Sequence, residues 1–387
     1  MELSLVFVYY SRKMQIQQVV KSLSINKSGG NQLIGLRKKI GQLLIMGFEG
    51  TEINEQSPIA QWLLNDGLGG VLVFDKDLHT GHYGKNLINK NQIKKLLQQL
   101  NHYSEQGTLA NTLLTAIDYE GGAVDRLASI VDCPRTSKAV ELTLLPPELL
   151  KEKINTMALT LKSLGFNLNF APVVDLSLNE EEGIIGKLGR SFSHNPEEVV
   201  RLARIFVEIF NGHGIACSYK HFPGHGSAVG DTHEGFVDVT ESFQSTELVP
   251  YSQLLKEQDK PVMIMTAHVI NRHLDSEGLP ATLSYKILND LLRKTLNYDG
   301  VIISDDLQMQ AIAEHYSMED ALQLTFNAGA DMVIFGNQLG STTAPEVIDC
   351  IEQLVHNQQI SMERIDEAYH RVRRLKQQIA NTELVLN

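Results

Sequence analysis

Eight short, unbroken apolar runs, spaced along most of the chain, constrain what it can fold into more than any other feature. They are Gln42–Met46, Gly70–Phe74, Leu113–Ile117, Asn167–Val174, Ile215–Tyr219, Val262–Met265, Val301–Ile303 and Met332–Phe335. None alternates apolar with polar residues, so each reads as a strand buried on both faces, as parallel strands are. Between them lie stretches with helical periodicity, such as Ile93–Leu100, Val199–Phe206 and Met362–Ile379. Asn195-Pro196 and Ser284 mark helix starts. Eight strand–helix units predict a (β/α)8 TIM-type barrel. A doubly wound sheet is the alternative, but no Gly-x-Gly-x-x-Gly follows the first run. No repeat, low-complexity tract or linker divides the sequence, so residues 36–387 are expected to form a single catalytic barrel, with residues 1–35 an atypical N-terminal extension.

A barrel presents its working side chains just past the carboxyl ends of its strands. At those places stand Asp118-Tyr119-Glu120-Gly121-Gly122, Asp175, Lys220-His221, His268 and Ser304-Asp305-Asp306. The densest of these clusters is Lys220-His221-Phe222-Pro223-Gly224-His225-Gly226, followed by Asp231-Thr232-His233. A strand ending in Lys-His and opening into Gly/Pro-rich chain delivers polar groups to a mouth. His233 and Asp231, two residues apart in one loop, can hydrogen-bond, which fixes the imidazole tautomer and raises its basicity.

Composition excludes several classes. The net charge of −12 disfavours nucleic acid and anionic membrane surfaces as partners. The three cysteines, Cys133, Cys217 and Cys350, are too widely spaced for a disulfide framework or a zinc-type pair. The apolar stretch Leu3–Tyr10 has no preceding basic residue and is far shorter than the roughly 20 residues a membrane span needs. Met14 offers an alternative start. The expectation is a cytoplasmic protein rather than a periplasmic one. Oligomeric state is not legible.

The Lys220–Gly226 block with Asp231-Thr232-His233 resembles the signature of glycoside hydrolase family 3, especially its single-domain bacterial β-N-acetylhexosaminidases of the peptidoglycan-recycling type. That pattern reads Lys-His-Phe-Pro-Gly-His-Gly, four variable places, then Asp-Ser/Thr-His. Asp118-Tyr-Glu-Gly-Gly-Ala-Val-Asp-Arg126 is similar to the family's Asp-Gln-Glu-Gly-Gly-Arg-Val-x-Arg, and Arg190-Ser-Phe to its Arg-Ser-Phe triplet. The chain departs from the commoner residues at Tyr119, Ala123 and Ser227-Ala228. All four are expected near the pocket, where they would bear on substrate choice. The resemblance covers roughly residues 38 to 340, without the second α/β sandwich domain of the larger β-glucosidase members.

The resemblance implies a retaining exo-β-N-acetylhexosaminidase that releases terminal β-linked N-acetylglucosamine, with GlcNAc-containing glycans or muropeptides as substrate and no cofactor or metal. It makes Asp305 the nucleophile and His233 the general acid/base, oriented by Asp231. Asp118, Arg126, Arg190, Lys220 and His221 would bind sugar hydroxyls or the sugar substituent. His268 either lines the site or is a core histidine satisfied by the backbone. Asp306 caps the following helix or supports its neighbour. Glu120 and Glu234 are apparent alternatives as the acid, since retaining glycosidases usually employ a second carboxyl. Lys162 and Arg293 lie in helical contexts and are expected to be solvated.

Four other readings compete. A β-glucosidase or a glycoside phosphorylase would keep the same catalytic residues. A non-catalytic sugar-binding barrel would be expected to lose Asp305 or His233. A zinc site of His221, His225, His233 and Asp231 is disfavoured, because the Pro and Gly between His221 and His225 keep both imidazoles from sharing one helix face.

Overall fold

In the computed structural model, residues 34–107, 112–230, 235–257 and 260–386 are described. The loop pair Asp231 and His233, the alternative acid Glu234 and nearly all of the 1–35 extension lie outside them.

All eight apolar runs are strands. They are β1 Leu44–Gly47, β2 Gly70–Leu72, β3 Leu114–Ile117, β4 Leu168–Asn169, β5 Ala216–Phe222, β6 Val262–Thr266, β7 Ile302–Asp306 and β8 Met332–Phe335. Each pairs in parallel with its sequence neighbours, and β8 returns to β1 through Leu44 opposite Val333, closing the barrel. β1 to β4, β8 and all of β5 are buried along their length, which is why these runs carry no polar alternation.

Helices fill the outer ring. Asn89 caps Lys90–Gln106 by accepting from the Gln92 amide at 3.0 Å, and Asn195 caps Pro196–Gly212 through the Glu197 amide at 3.0 Å. Ser284 accepts from the Ile287 amide at 3.1 Å at the start of the π-helical Lys286–Thr295 segment. Phe206 and Phe210, one turn apart on their helix, stack at 4.3 Å and bury fully. No helix among the described residues is long and apolar enough to cross a membrane.

The long carboxy-terminal helix, Met362–Leu386, seals the amino-terminal end of the barrel through charge. Its Arg364 and Arg371, with Arg293, converge on Asp331, which is fully buried just before β8. Lys376 of the same helix is buried and donates to Gln42 at 2.7 Å and to the Gly69 carbonyl at 2.8 Å. Arg293 is therefore not solvated as expected. Its helix turns it inward, and the Asp331 charge draws it below the surface.

Two strands depart from regular pairing. On β5, Tyr219 pairs with Ile264 and Phe222 with Thr266, so three steps of β5 match two of β6. On β7, Ile303 pairs with Met332 and Asp306 with Ile334, again three against two. Each is a β-bulge, one at Lys220-His221 and the other at Ser304-Asp305.

Candidate active site

Successive side chains of a regular strand point to opposite faces, so Lys220 and His221 could not both look into the barrel mouth, nor could Asp305 and Asp306. The break in pairing at Ser304-Asp305 and the cis peptide bond between Lys220 and His221, inside the break on β5, remove that restriction. All four residues line one cavity of about 530 Å³, together with Asp75, Asp118, Glu120, Arg126, Arg190 and His225.

The polar wall is a continuous ion network. Arg190 makes two parallel bonds to Glu120, Nε to Oε2 and Nη2 to Oε1, both 2.8 Å. Lys220 Nζ reaches Glu120 Oε1 at 2.7 Å and donates to Asp118 Oδ1 at 2.9 Å. Arg126 lies 3.6 Å from Asp75 and 3.9 Å from Asp118, with its guanidinium over the Phe74 ring. Arg190 is aimed inward because its neighbour Ser191 is buried and donates to the Asp175 carbonyl at 2.6 Å. Burial by itself would raise the Glu120 carboxyl, but the Arg190 and Lys220 charges overcome it and hold the group well below the usual carboxylate range. Lys220 is likewise buried yet held above its ordinary value by Asp118 and Glu120. Glu120 thus stays ionised and cannot serve as a proton donor at neutral pH. A wall of fixed charges with both signs paired is suited to gripping hydroxyls and amides.

Asp175, just past β4, stands behind this wall as a hub. Its Oδ2 lies 2.7 Å from His221 Nδ1, and both oxygens accept from the His221 amide at 3.1 Å. Its Oδ1 also accepts from the His225 amide at 2.9 Å. Burial would push the Asp175 carboxyl up, but His221 outweighs it and the group sits below its ordinary value. The Asp175 contact occupies Nδ1 of His221, so Nε2 is the ring nitrogen left to face the cavity. Sequence reasoning placed Asp175 at the rim but gave it no role, and it considered His225 only for the disfavoured zinc site. Asp175 is signalled only by its place past a strand, and His225 only by its membership of the Lys220–Gly226 block, which gives it no role of its own.

His225 is buried and lines the cavity, and burial, reinforced by the nearby His221, pushes its pKa down to about 4. In the unfolded chain the same imidazole takes up a proton below about pH 6.5, whereas the folded protein resists until about pH 4. This contribution to stability is present above pH 6.5 and lost as the pH falls. Between pH 7 and pH 5 the wild-type protein is expected to lose on the order of 2 kcal/mol more than a His225→Gln variant. Urea denaturation of both proteins at the two pH values measures this, and equal losses would refute it.

Asp305 and Asp306 close the cavity on the β7 side. The Asp306 carboxylate accepts from the Gln308 amide at 3.0 Å, capping the next turn. His268 is fully buried behind them, with Nε2 at 2.9 Å from the Asp306 carbonyl and Nδ1 at 2.8 Å from the Thr282 hydroxyl. It lies outside the cavity lining. Of its two readings, the geometry is that of a core histidine bracing β7, not of a substrate contact.

The structure thus brings Asp118, Arg126, Arg190, Lys220, His221 and Asp305 to one pocket. His268 stands outside it, and Asp231 and His233 fall beyond the described residues. The four departures from the family pattern separate as well. Ala123 lines the cavity. Tyr119 is fully buried, and Ala228 packs into a small cluster with Val237, Val239, Ala267 and Val269, while Ser227 is buried beside it. Only Ala123 therefore bears directly on what the pocket holds. Among the described residues no cluster of three or more His, Cys, Asp or Glu side chains is arranged to hold a metal ion.

Known proteins point the same way. The model of the "Glycosyl hydrolase family 3 N terminal domain" matches residues 35–375. The chain is 30% identical over 329 residues to Beta-hexosaminidase A of Pseudoalteromonas piscicida, covering 80% of this chain but 53% of that protein. It thus spans about half the length of that relative. It is 32% identical over 305 residues to the Beta-hexosaminidase of Tolumonas auensis, covering 78% of this chain and 84% of that one. A solved glycoside hydrolase family 3 beta-N-acetylglucosaminidase from Paenibacillus sp. str. FPU-7 superposes with a TM-score of 0.79 at 32% identity, over 90% of this chain and 63% of the other. M tuberculosis LpqI superposes with a TM-score of 0.75 at 28% identity, over 89% of this chain and 94% of the other.

Proposed function

The chain belongs to glycosyl hydrolase family 3, and on that premise we propose that it is a retaining exo-β-N-acetylhexosaminidase. It would cleave terminal β-linked N-acetylglucosamine from GlcNAc-containing glycans, with cell-wall muropeptides as the natural class. The observation that carries the reading is the pocket itself. A carboxylate at the end of β7 shares one cavity with a paired, charged grip built from Glu120, Arg190 and Lys220, with Asp118 and His221 beside it. The relatives named as beta-hexosaminidases support the choice of an acetamido sugar.

In this mechanism the Arg190–Glu120–Lys220 network holds the terminal sugar, its charges fixed by one another before substrate arrives. That is preorganisation of the kind that favours catalysis, since little reorientation remains when charge develops on the sugar ring. Asp305 attacks the anomeric carbon as the bond to the leaving oxygen breaks, giving a glycosyl ester on Asp305. His233 protonates the departing oxygen, then takes a proton from water as that water displaces Asp305 and regenerates the carboxylate. Asp231 orients the imidazole. With Glu120 locked as an anion, an imidazole is well suited to the proton transfers, because its ordinary pKa lies near neutrality.

Hydrolysis of 4-nitrophenyl β-N-acetylglucosaminide beside the matching β-glucoside, with and without phosphate, tests the assignment. Turnover of the acetamido sugar at least about a hundredfold faster than of the glucoside, unaffected by phosphate, is the expected result, because discrimination by a polar pocket exceeds that of an apolar one. Preference for the glucoside would overturn the substrate assignment, and a sugar phosphate as product would overturn hydrolysis.

A further inference from the structure

The Gly-rich segment that leaves β5 is held at its root by two buried carboxylates from different parts of the chain. Asp175 takes the His225 amide at 2.9 Å. Glu247, in the one-turn helix Ser245–Leu248, takes the next two amides with a single oxygen, Gly226 at 2.9 Å and Ser227 at 3.3 Å. Its other oxygen accepts from the Gln244 amide at 3.1 Å. Three successive backbone donors of the loop therefore end on carboxylates. Glu247 is only 1% exposed, so this anchorage is made in a low-dielectric interior, where hydrogen bonds to a charged acceptor are strong and hard to replace.

The glycines of the segment fit that arrangement. A Cβ on Gly224 would lie 2.8 Å from the Glu247 Cβ, and one on Gly226 would lie 2.0 Å from the Leu176 carbonyl oxygen. Gly224 also has φ of +147°, which disfavours any side chain. The backbone passes through a slot between Glu247 and Leu176 that only glycine can thread. Asp231 and His233 follow within a few residues along the same chain.

We propose that Glu247 is a positioning residue for the general acid/base. By fixing the point and direction at which the loop leaves β5, it sets how His233 approaches the leaving oxygen. The inference rests on the assignment of His233 as acid/base. Glu247 lies outside the cavity lining, so its influence on the site runs through the loop it anchors.

The test compares Glu247→Gln and Glu247→Ala with the wild-type protein on two N-acetylglucosaminides, one with a 2,4-dinitrophenyl and one with a 4-methoxyphenyl leaving group. A glutamine keeps the shape but can offer an acceptor to only one of the two donor sets. Glu247→Gln is expected to lower kcat on the methoxyphenyl substrate about tenfold and to change the dinitrophenyl rate less than about twofold, with KM for both unchanged, because proton donation matters only for the poor leaving group. Glu247→Ala should exaggerate the same pattern. If it fails to fold, Glu247→Gln alone decides. Equal slowing of both substrates, or no slowing of either, would overturn the inference and leave Glu247 a structural residue. His233→Ala, run alongside, separates the two claims. Leaving-group dependence in His233→Ala without any in Glu247→Gln refutes the positioning role alone. Its absence from His233→Ala refutes the acid/base assignment and the inference with it.

Discussion

Replacing Asp305 with alanine is expected to lower kcat/KM on 4-nitrophenyl β-N-acetylglucosaminide by about 10⁴-fold or more, the scale seen when a covalent nucleophile is removed. Asp305 alone would form the bond that replaces the glycosidic one, so no neighbour can share its task. Asp306 is adjacent and also lines the cavity, but its carboxylate is engaged with the Gln308 amide. The variant should fold normally, since Asp305 lies at the strand's open end and not in the apolar core. Azide supplied to the alanine variant should restore part of the turnover and give the α-glycosyl azide, because a small anion can enter the space and attack from the nucleophile's side of the ring. Near-wild-type rates in Asp305→Ala would refute the assignment. A β-configured azide product would refute attack from that side.

The largest effect on stability is expected at the opposite end of the barrel. Asp331→Ala should destabilise the fold by about 3–5 kcal/mol, the penalty of leaving buried cations without their counter-ion. Arg293, Arg364 and Arg371 all meet Asp331, and its Oδ2 also accepts from the Ile302 amide at 3.0 Å. The three positive charges hold the Asp331 carboxyl below its ordinary value despite complete burial. The group ties β7, β8 and the closing helix Met362–Leu386 together. Chemical denaturation measures the loss, and kcat per folded molecule should be unchanged, because this end of a barrel supplies stability while the other supplies function. A loss below about 1 kcal/mol would mean that water or rearranged arginines replace the carboxylate.

How much of the molecule is legible in its sequence depends on the physical range of each signal. The eight strands could be read because burial on both faces forces a continuous apolar run, and that constraint is local. Helix starts at Asn195 and Ser284 follow from side chains that satisfy amides two or three residues away. The segments around Asp118 and Lys220 could be nominated because strand ends are where a barrel exposes polar groups.

Partnership was harder. Glu120 looked like a spare acid in sequence, yet Arg190 and Lys220, both far along the chain, make it a permanent anion. Arg293 looked like a solvated helix residue until its helix turned it onto Asp331. His268 had two readings that local sequence could not separate, and the Thr282 hydroxyl and Asp306 carbonyl decide between them.

Sequence by itself therefore determined the barrel, its strand order and the segments that reach the mouth, because apolar periodicity and capping act over a few residues of chain. Only the tertiary structure decided which neighbours face the same way and which charges are silenced. The bulges at Lys220-His221 and Ser304-Asp305 leave no trace in composition or spacing, since they exist only as a mismatch between two strands. The pairing of Asp175 with His221 and His225, and of Glu247 with the glycine loop, likewise depends on distances across the fold. A carboxylate's state is set by what surrounds it in space, and that surrounding is assembled only when the barrel closes.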